Sequence, residues 1–125
     1  METKEAVTAL AALAQETRLS VFRLLVEAGP EGMSVGSIGE KLGVAPATLS
    51  FHLKELSHAG LATSRQESRF IYYMADFAKM AALMTFLTRN CCTGMPQECV
   101  AVMETALEDC CAPPQTKRKS ERSKS

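Results

Sequence analysis

A chain of 125 residues with no net formal charge and 46% apolar residues has the size and make-up of one globular domain, not of a disordered or fibrous protein. No apolar run approaches the ~20 residues of a membrane span, and the start METKEAVTAL lacks a charged-then-apolar leader, so a cytoplasmic location with no membrane partner is expected. The five cysteines, two adjacent pairs and one single, do not make a secreted disulfide framework; in a reducing compartment they are candidate thiolate ligands or redox sensors.

Residues 5–14 (EAVTALAALA) predict an alanine-rich helix, apolar nearly all round and therefore buried against something larger than its own domain. A second helix, from about Glu16 to Ala28, repeats apolar residues at Leu19, Phe22, Leu25 and Val26, and Gly29-Pro30 stops it.

Ser34 to Gly60 predicts two short helices joined by a tight turn. Ser34 can cap the first, Ile38 and Leu42 recur on one face, and Gly43 ends it by tolerating positive φ. Pro46 suits the first residue of the second helix, where its missing N–H costs nothing. At about 100° per residue, Leu49, Leu53 and Leu56 share a stripe that must face inward. Opposite lie Ala47, Phe51, Lys54 and His58, flanked by Thr48 and Ser50. Small hydroxyls around an outward Phe suit a helix entering a DNA major groove: Ser and Thr reach base edges or phosphates, and Ala or Phe can meet a thymine methyl.

After Gly60 the period changes. LATSRQ and RFIYYM alternate around a tip at Glu67-Ser68, the pattern of a β-hairpin and, directly after a helix-turn-helix, of a wing. Arg65, Gln66 and Arg69 near the tip can reach phosphates or the minor groove. Residues 41–73 hold four Lys or Arg against two carboxylates, a local surplus compatible with salt-sensitive DNA binding.

Asp76 caps a predicted helix to about Asn90. Phe77, Met80, Met84 and Leu87 form one apolar stripe, with Leu83 and Phe86 as a second beside it. One stripe packs on the parent domain; the other predicts a homodimer interface shared with the N-terminal helix. A twofold dimer sets two recognition helices about one DNA turn apart on a palindromic operator.

Cys91-Cys92 follows, with Cys99 seven residues on. Adjacent cysteines point apart on an intact helix but converge at a frayed end, and Gly94 and Pro96 let the chain fold back towards Cys99. Three thiolates without a nearby histidine suit a thiophilic, three-coordinate guest, trivalent arsenic or antimony, better than tetrahedral zinc. Cys110-Cys111 is left open as a fourth ligand source, an independent dithiol, or two accessible thiols. The stretch from Pro113 is rich in Pro, Ser and Lys and reads as a disordered tail.

With these residues in view, the chain resembles the ArsR family of bacterial winged-helix metalloregulators over roughly Ala9 to Cys92. The strongest likeness is PATLSFHLKELSHAGLATSRQESRFIYY, with Ser-x-His-Leu on the recognition helix, then Gly-Leu and the wing. The resemblance implies that Thr48, Ser50 and His52 touch DNA and that Arg69 is the wing arginine. The Cys-x-Cys of many arsenic repressors in this family is missing from VGSIGEKL, as are the histidine and acid ligands of its zinc sensors from the 76–90 helix. What remains looks like an arsenic-sensing subgroup with a vicinal pair ending that helix, which carries the site to Cys91, Cys92 and Cys99.

The expected fold is mostly α with a β-hairpin wing. Residues 1–92 form a winged helix-turn-helix dimerised through its N- and C-terminal helices, 93–112 a cysteine-bearing segment and 113–125 the basic tail. The expected function is a repressor that binds operator double-stranded DNA through Ala47, Thr48, Ser50, Phe51, His52 and Arg69 when metal-free. Arsenite, or antimony(III), bound to Cys91, Cys92 and Cys99 then releases it. Rival readings are a thiol redox-sensing repressor of the same fold and a small thiol carrier or oxidoreductase. With both histidines on the recognition helix and no nucleophile–base–orienter set, an enzyme is not expected.

Overall fold

The computed structural model describes residues 1–89 and the helix over residues 96–111. The chain divides into two units, Met1–Leu87 and the part from Thr88 onward. Cys91, Cys92 and the tail 113–125 lie outside the described residues.

The first unit holds α1 (Thr3–Leu13), α2 (Glu16–Ala28), a 3-10 turn (Gly29–Glu31), β1 (Met33–Ser34), α3 (Val35–Leu42), α4 (Pro46–His58), β2 (Ala62–Glu67), β3 (Phe70–Ala75) and α5 (Phe77–Thr88). The second holds α6 (Pro96–Cys111). The mostly helical body with a β-hairpin wing is the expected winged helix-turn-helix.

Capping chemistry sets the boundaries. Glu2 and Glu5 form a capping box that starts α1 two residues before the expected position. The Glu2 N–H held by Glu5 keeps the Glu5 carboxyl below its ordinary range, helped by the Lys79 ammonium. The Gln15 side chain accepts the Arg18 N–H at 2.8 Å to start α2. Ser34 Oγ does the same for Ser37 at 3.2 Å on α3, and Gly43, left-handed at φ 65°, turns the chain into α4. Pro46 is the first residue of α4, and Asp76 Oδ1 accepts the Lys79 N–H at 3.0 Å to cap α5.

The core is one cluster. Val21 and Leu25 of α2, Ile38 of α3, Leu49, Leu53 and Leu56 of α4 and Leu61 are all fully buried. On α1 the buried positions are Ala6, Ala9 and Ala12, small enough to bring that helix close against its neighbours.

Several features differ from expectation. Leu19 is 45% exposed and Val21 takes its place inside, so α2 is turned towards Val21, Phe22 and Leu25. On α5, Leu83 is buried and Phe77, Met80 and Phe86 pack on the core, whereas Met84 and Leu87 are exposed. The six apolar residues of α5 form one arc about 180° wide, not two stripes, so periodicity alone could not say which edge the domain covers. The wing turns at Ser68-Arg69 because Glu67 pairs with Phe70; Ser68 carries the positive φ, 55°, of such a two-residue loop. Finally, β1 is too short to carry a period, yet it pairs antiparallel with β3, giving a sheet in the order β1-β3-β2.

The recognition helix α4 ends at His58, with Ala59 as cap residue, two residues short of Gly60. In the second unit, Pro96 opens α6 instead of sitting in a fold-back loop, and Cys99 is the fourth residue of that helix.

Candidate nucleic-acid interface

Leu49, Leu53 and Leu56 pin one side of α4 to the core, which decides what the other side shows. Ala47, Thr48, Ser50, Phe51 and Lys54 are all exposed. Phe51 is 57% exposed, a large apolar ring held in water among hydroxyls and a cation. The helix fits the ~12 Å width of a B-form major groove, and its outer face carries the donors, acceptors and methyl-reading groups that such a groove calls for.

His52 is different. It is only 8% exposed, and its Nδ1 lies 3.3 Å from Arg18 Nη1. The ring is spent on the protein interior, so the expected DNA contact at His52 is withdrawn. It lies off the leucine stripe, but α2 packs there as well, and the helix buries a wider arc than the leucines define.

The wing supplies the second side. Arg69 sits at the hairpin tip and is exposed. Arg65 is committed elsewhere: its Nε meets Glu67 Oε2 at 2.8 Å, its Nη1 donates to the Glu31 carbonyl at 2.9 Å, and its guanidinium lies 4.8 Å over the Tyr72 ring. It braces the wing and is not offered to phosphate. Between α4 and β3 runs an open cleft of about 370 Å³, lined by Ser34, Ser50, Lys54, Arg69, Phe70 and neighbours. Two cations and two hydroxyls thus flank one groove. Lys54 belongs to this set although it was left out of the expected contacts; its position four residues after Ser50, on the same helical face, was the available signal. Phe70 and Ile71, 56% and 45% exposed, add apolar surface beside the tip.

The expected thiolate site is only partly in view. Cys91 and Cys92 lie outside the described residues, and of Cys99 only its place on α6 is described. That helix settles one open alternative. Cys99 and Cys110 are both on α6, eleven residues apart, and a rise of 1.5 Å per residue separates them by about 16 Å. Cys110-Cys111 therefore cannot complete a shell around an ion held by Cys99 of the same chain.

The fold and this face define a winged helix-turn-helix module built for duplex DNA. Comparison with known proteins agrees. Residues 13–65 match the family model described as a helix-turn-helix domain. The chain is 43% identical over 61 residues to the HTH-type transcriptional regulator YceK of Bacillus subtilis, spanning 60% of that protein. It is 31% identical over 88 residues to the transcriptional activator HlyU of Vibrio cholerae, covering 70% of this chain and 79% of HlyU. It is 35% identical over 78 residues to a Halobacterium salinarum protein named, provisionally, as the arsenical resistance operon repressor ArsR, covering 62% of this chain and 60% of that protein. Among solved structures, an ArsR-like regulator from Rhodococcus superposes with a TM-score of 0.62 at 26% identity, over 86% of this chain and 93% of that one. The homodimeric winged helix-turn-helix domain of Mb0332 from Mycobacterium bovis superposes at 0.56 with 28% identity, over 70% and 81%.

The chain belongs to this family: it is a DNA-binding transcriptional regulator of the ArsR/HlyU type. Among the described residues no helix is long and apolar enough to cross a membrane.

Proposed function

We propose that the chain is a homodimeric, cytoplasmic repressor that holds operator DNA while its thiols are reduced and empty, and lets go when trivalent arsenic or antimony binds Cys91, Cys92 and Cys99. The observation that carries the DNA half is the outer face of α4: Phe51 exposed among Ala47, Thr48 and Ser50, with Lys54 and the wing's Arg69 across a cleft. The dimer is supported by apolar groups left in water on two helices of one unit, Val7 and Leu10 on α1 and Leu87 on α5. Lys79 Nζ, 3.9 Å from Glu5 Oε2, links the first turns of α5 and α1, and a second copy would cover the apolar groups that each helix leaves in water.

The metalloid half rests on donor chemistry. Two adjacent cysteines and a third seven residues on offer three soft thiolates just past the helix that would line the dimer interface. Bound there, the ion need not touch DNA; it need only favour one dimer geometry over another. Linkage then requires DNA to weaken metalloid binding by the same factor, typically worth about 1–3 kcal/mol. The named relatives include an activator and a repressor, so the sign of regulation is part of the proposal.

The test is a fluorescence-anisotropy titration of protein bound to a duplex that it has itself enriched from a random pool. Arsenite, antimonite, zinc and peroxide are added separately. Release by arsenite or antimonite at low stoichiometry supports the proposal. Release by peroxide alone selects the redox-sensing repressor, and release by zinc alone removes the three-sulfur argument.

A further inference from the structure

We infer that Arg18 is a positioning residue for DNA recognition, acting through His52: its guanidinium fixes the recognition helix to the end of α1. The inference rests on the DNA-binding reading above. Arg18 lies in the first turn of α2, its own N–H held by Gln15 Oε1 at 2.8 Å. From there its Nε donates to the Ala12 carbonyl at 2.7 Å, and its Nη1 reaches His52 Nδ1 at 3.3 Å. Arginine has no acceptor, so His52 Nδ1 must receive this hydrogen bond and the ring's own proton sits on Nε2. Ala12 lies in the last turn of α1, where carbonyls have no partner within the helix, and Arg18 supplies one.

The geometry gives this bracket a task that the apolar core cannot perform. Leu49, Leu53 and Leu56 hold α4 by contacts without direction, which tolerate a small roll of the helix about its axis. A hydrogen bond to a ring nitrogen does not. His52 is the one buried polar side chain among the described residues, and it adjoins Phe51, whose ring meets its own edge-on at a centroid distance of 5.5 Å. Fixing the imidazole fixes the direction in which Phe51, Ser50 and Thr48 face. The other end of the bracket is on α1, the helix that carries exposed Val7 and Leu10, so Arg18 adds a directional link between that helix and the recognition face to the apolar packing already between them.

The experiment uses the full-length chain with Arg18→Lys, His52→Leu, His52→Asn and the double variant Arg18→Lys/His52→Leu. Lysine keeps the charge but cannot span two acceptors, and asparagine puts an oxygen near the place of Nδ1. Each is titrated against the duplex enriched by the wild type and against a scrambled duplex of equal length, with thermal unfolding measured alongside. Arg18→Lys and His52→Leu should each bind the enriched duplex roughly tenfold more weakly, the scale of one charge-assisted hydrogen bond, with scrambled binding unchanged. His52→Asn should recover most of that loss, and the double variant should be no worse than the weaker single.

Folded variants that bind the enriched duplex as the wild type does would overturn the inference. So would equal losses on both duplexes, or losses that multiply in the double variant. If Arg18→Lys does not fold, the contrast between His52→Leu and His52→Asn decides alone. A wild type that enriches no duplex at all refutes the DNA-binding reading itself, a result distinct from any of these.

Discussion

Gly32 lies so close to Tyr73 that a β-carbon built on it would stand 2.3 Å from the Tyr73 carbonyl oxygen, and its φ of 78° is one that L residues avoid. This contact lets Met33 and Ser34 pair with Tyr73 and Tyr72, tying the start of α3 to the wing. Gly32→Ala should therefore lower stability by about 2–4 kcal/mol in urea unfolding, from strain and backbone displacement together. A loss under about 0.5 kcal/mol would show that the approach can relax freely.

The two faces of α4 should respond oppositely to truncation. Leu53→Ala removes a side chain that is 1% exposed and should cost about 2–5 kcal/mol of folding stability. Phe51→Ala, on the open side, should change stability by no more than about 0.5 kcal/mol while weakening binding to the enriched duplex. Paired unfolding and binding curves check both.

Contacts to bases and to phosphates should separate by their salt behaviour. Lys54→Ala and Arg69→Ala should weaken all duplexes alike and each reduce the slope of log affinity against log salt by about one. Thr48→Ala and Ser50→Ala should leave the slope unchanged and relax sequence preference by about 1–3 kcal/mol at the positions they meet. Binding isotherms at several salt concentrations distinguish the two outcomes.

The apolar residues that α1 and α5 leave exposed predict self-association. Leu10→Glu and Leu87→Glu place charges on exposed positions and should shift sedimentation from dimer to monomer with little change in secondary structure. A wild-type chain that sediments as a monomer at all concentrations would contradict the dimer.

Much of this architecture was legible because local chemistry and global fold agree. Ser34, Gly43 and Pro46 each act on the backbone beside them, and the leucines of α4 point one way whatever surrounds the helix. What was not legible depends on tertiary neighbours. His52 looked available until α2 brought Arg18 against it, and Arg65 looked like a phosphate contact until Glu31, Glu67 and Tyr72 converged on it. The edge of α5 left in water was ambiguous for the same reason: an apolar arc says that a helix is covered, not by what. Strand β1 had no pattern to show in two residues, although the glycine before it was a usable signal. The metalloid site is legible only as donor chemistry at Cys91, Cys92 and Cys99.

The most direct test of the account compares wild type with Cys92→Ser, each bound to the enriched duplex with thiols reduced, during an arsenite titration followed by anisotropy. Both proteins should hold the duplex equally well without arsenite, and only the wild type should release it as arsenite is added. Release from Cys92→Ser at the same arsenite concentration, or retention by the wild type throughout, would contradict it.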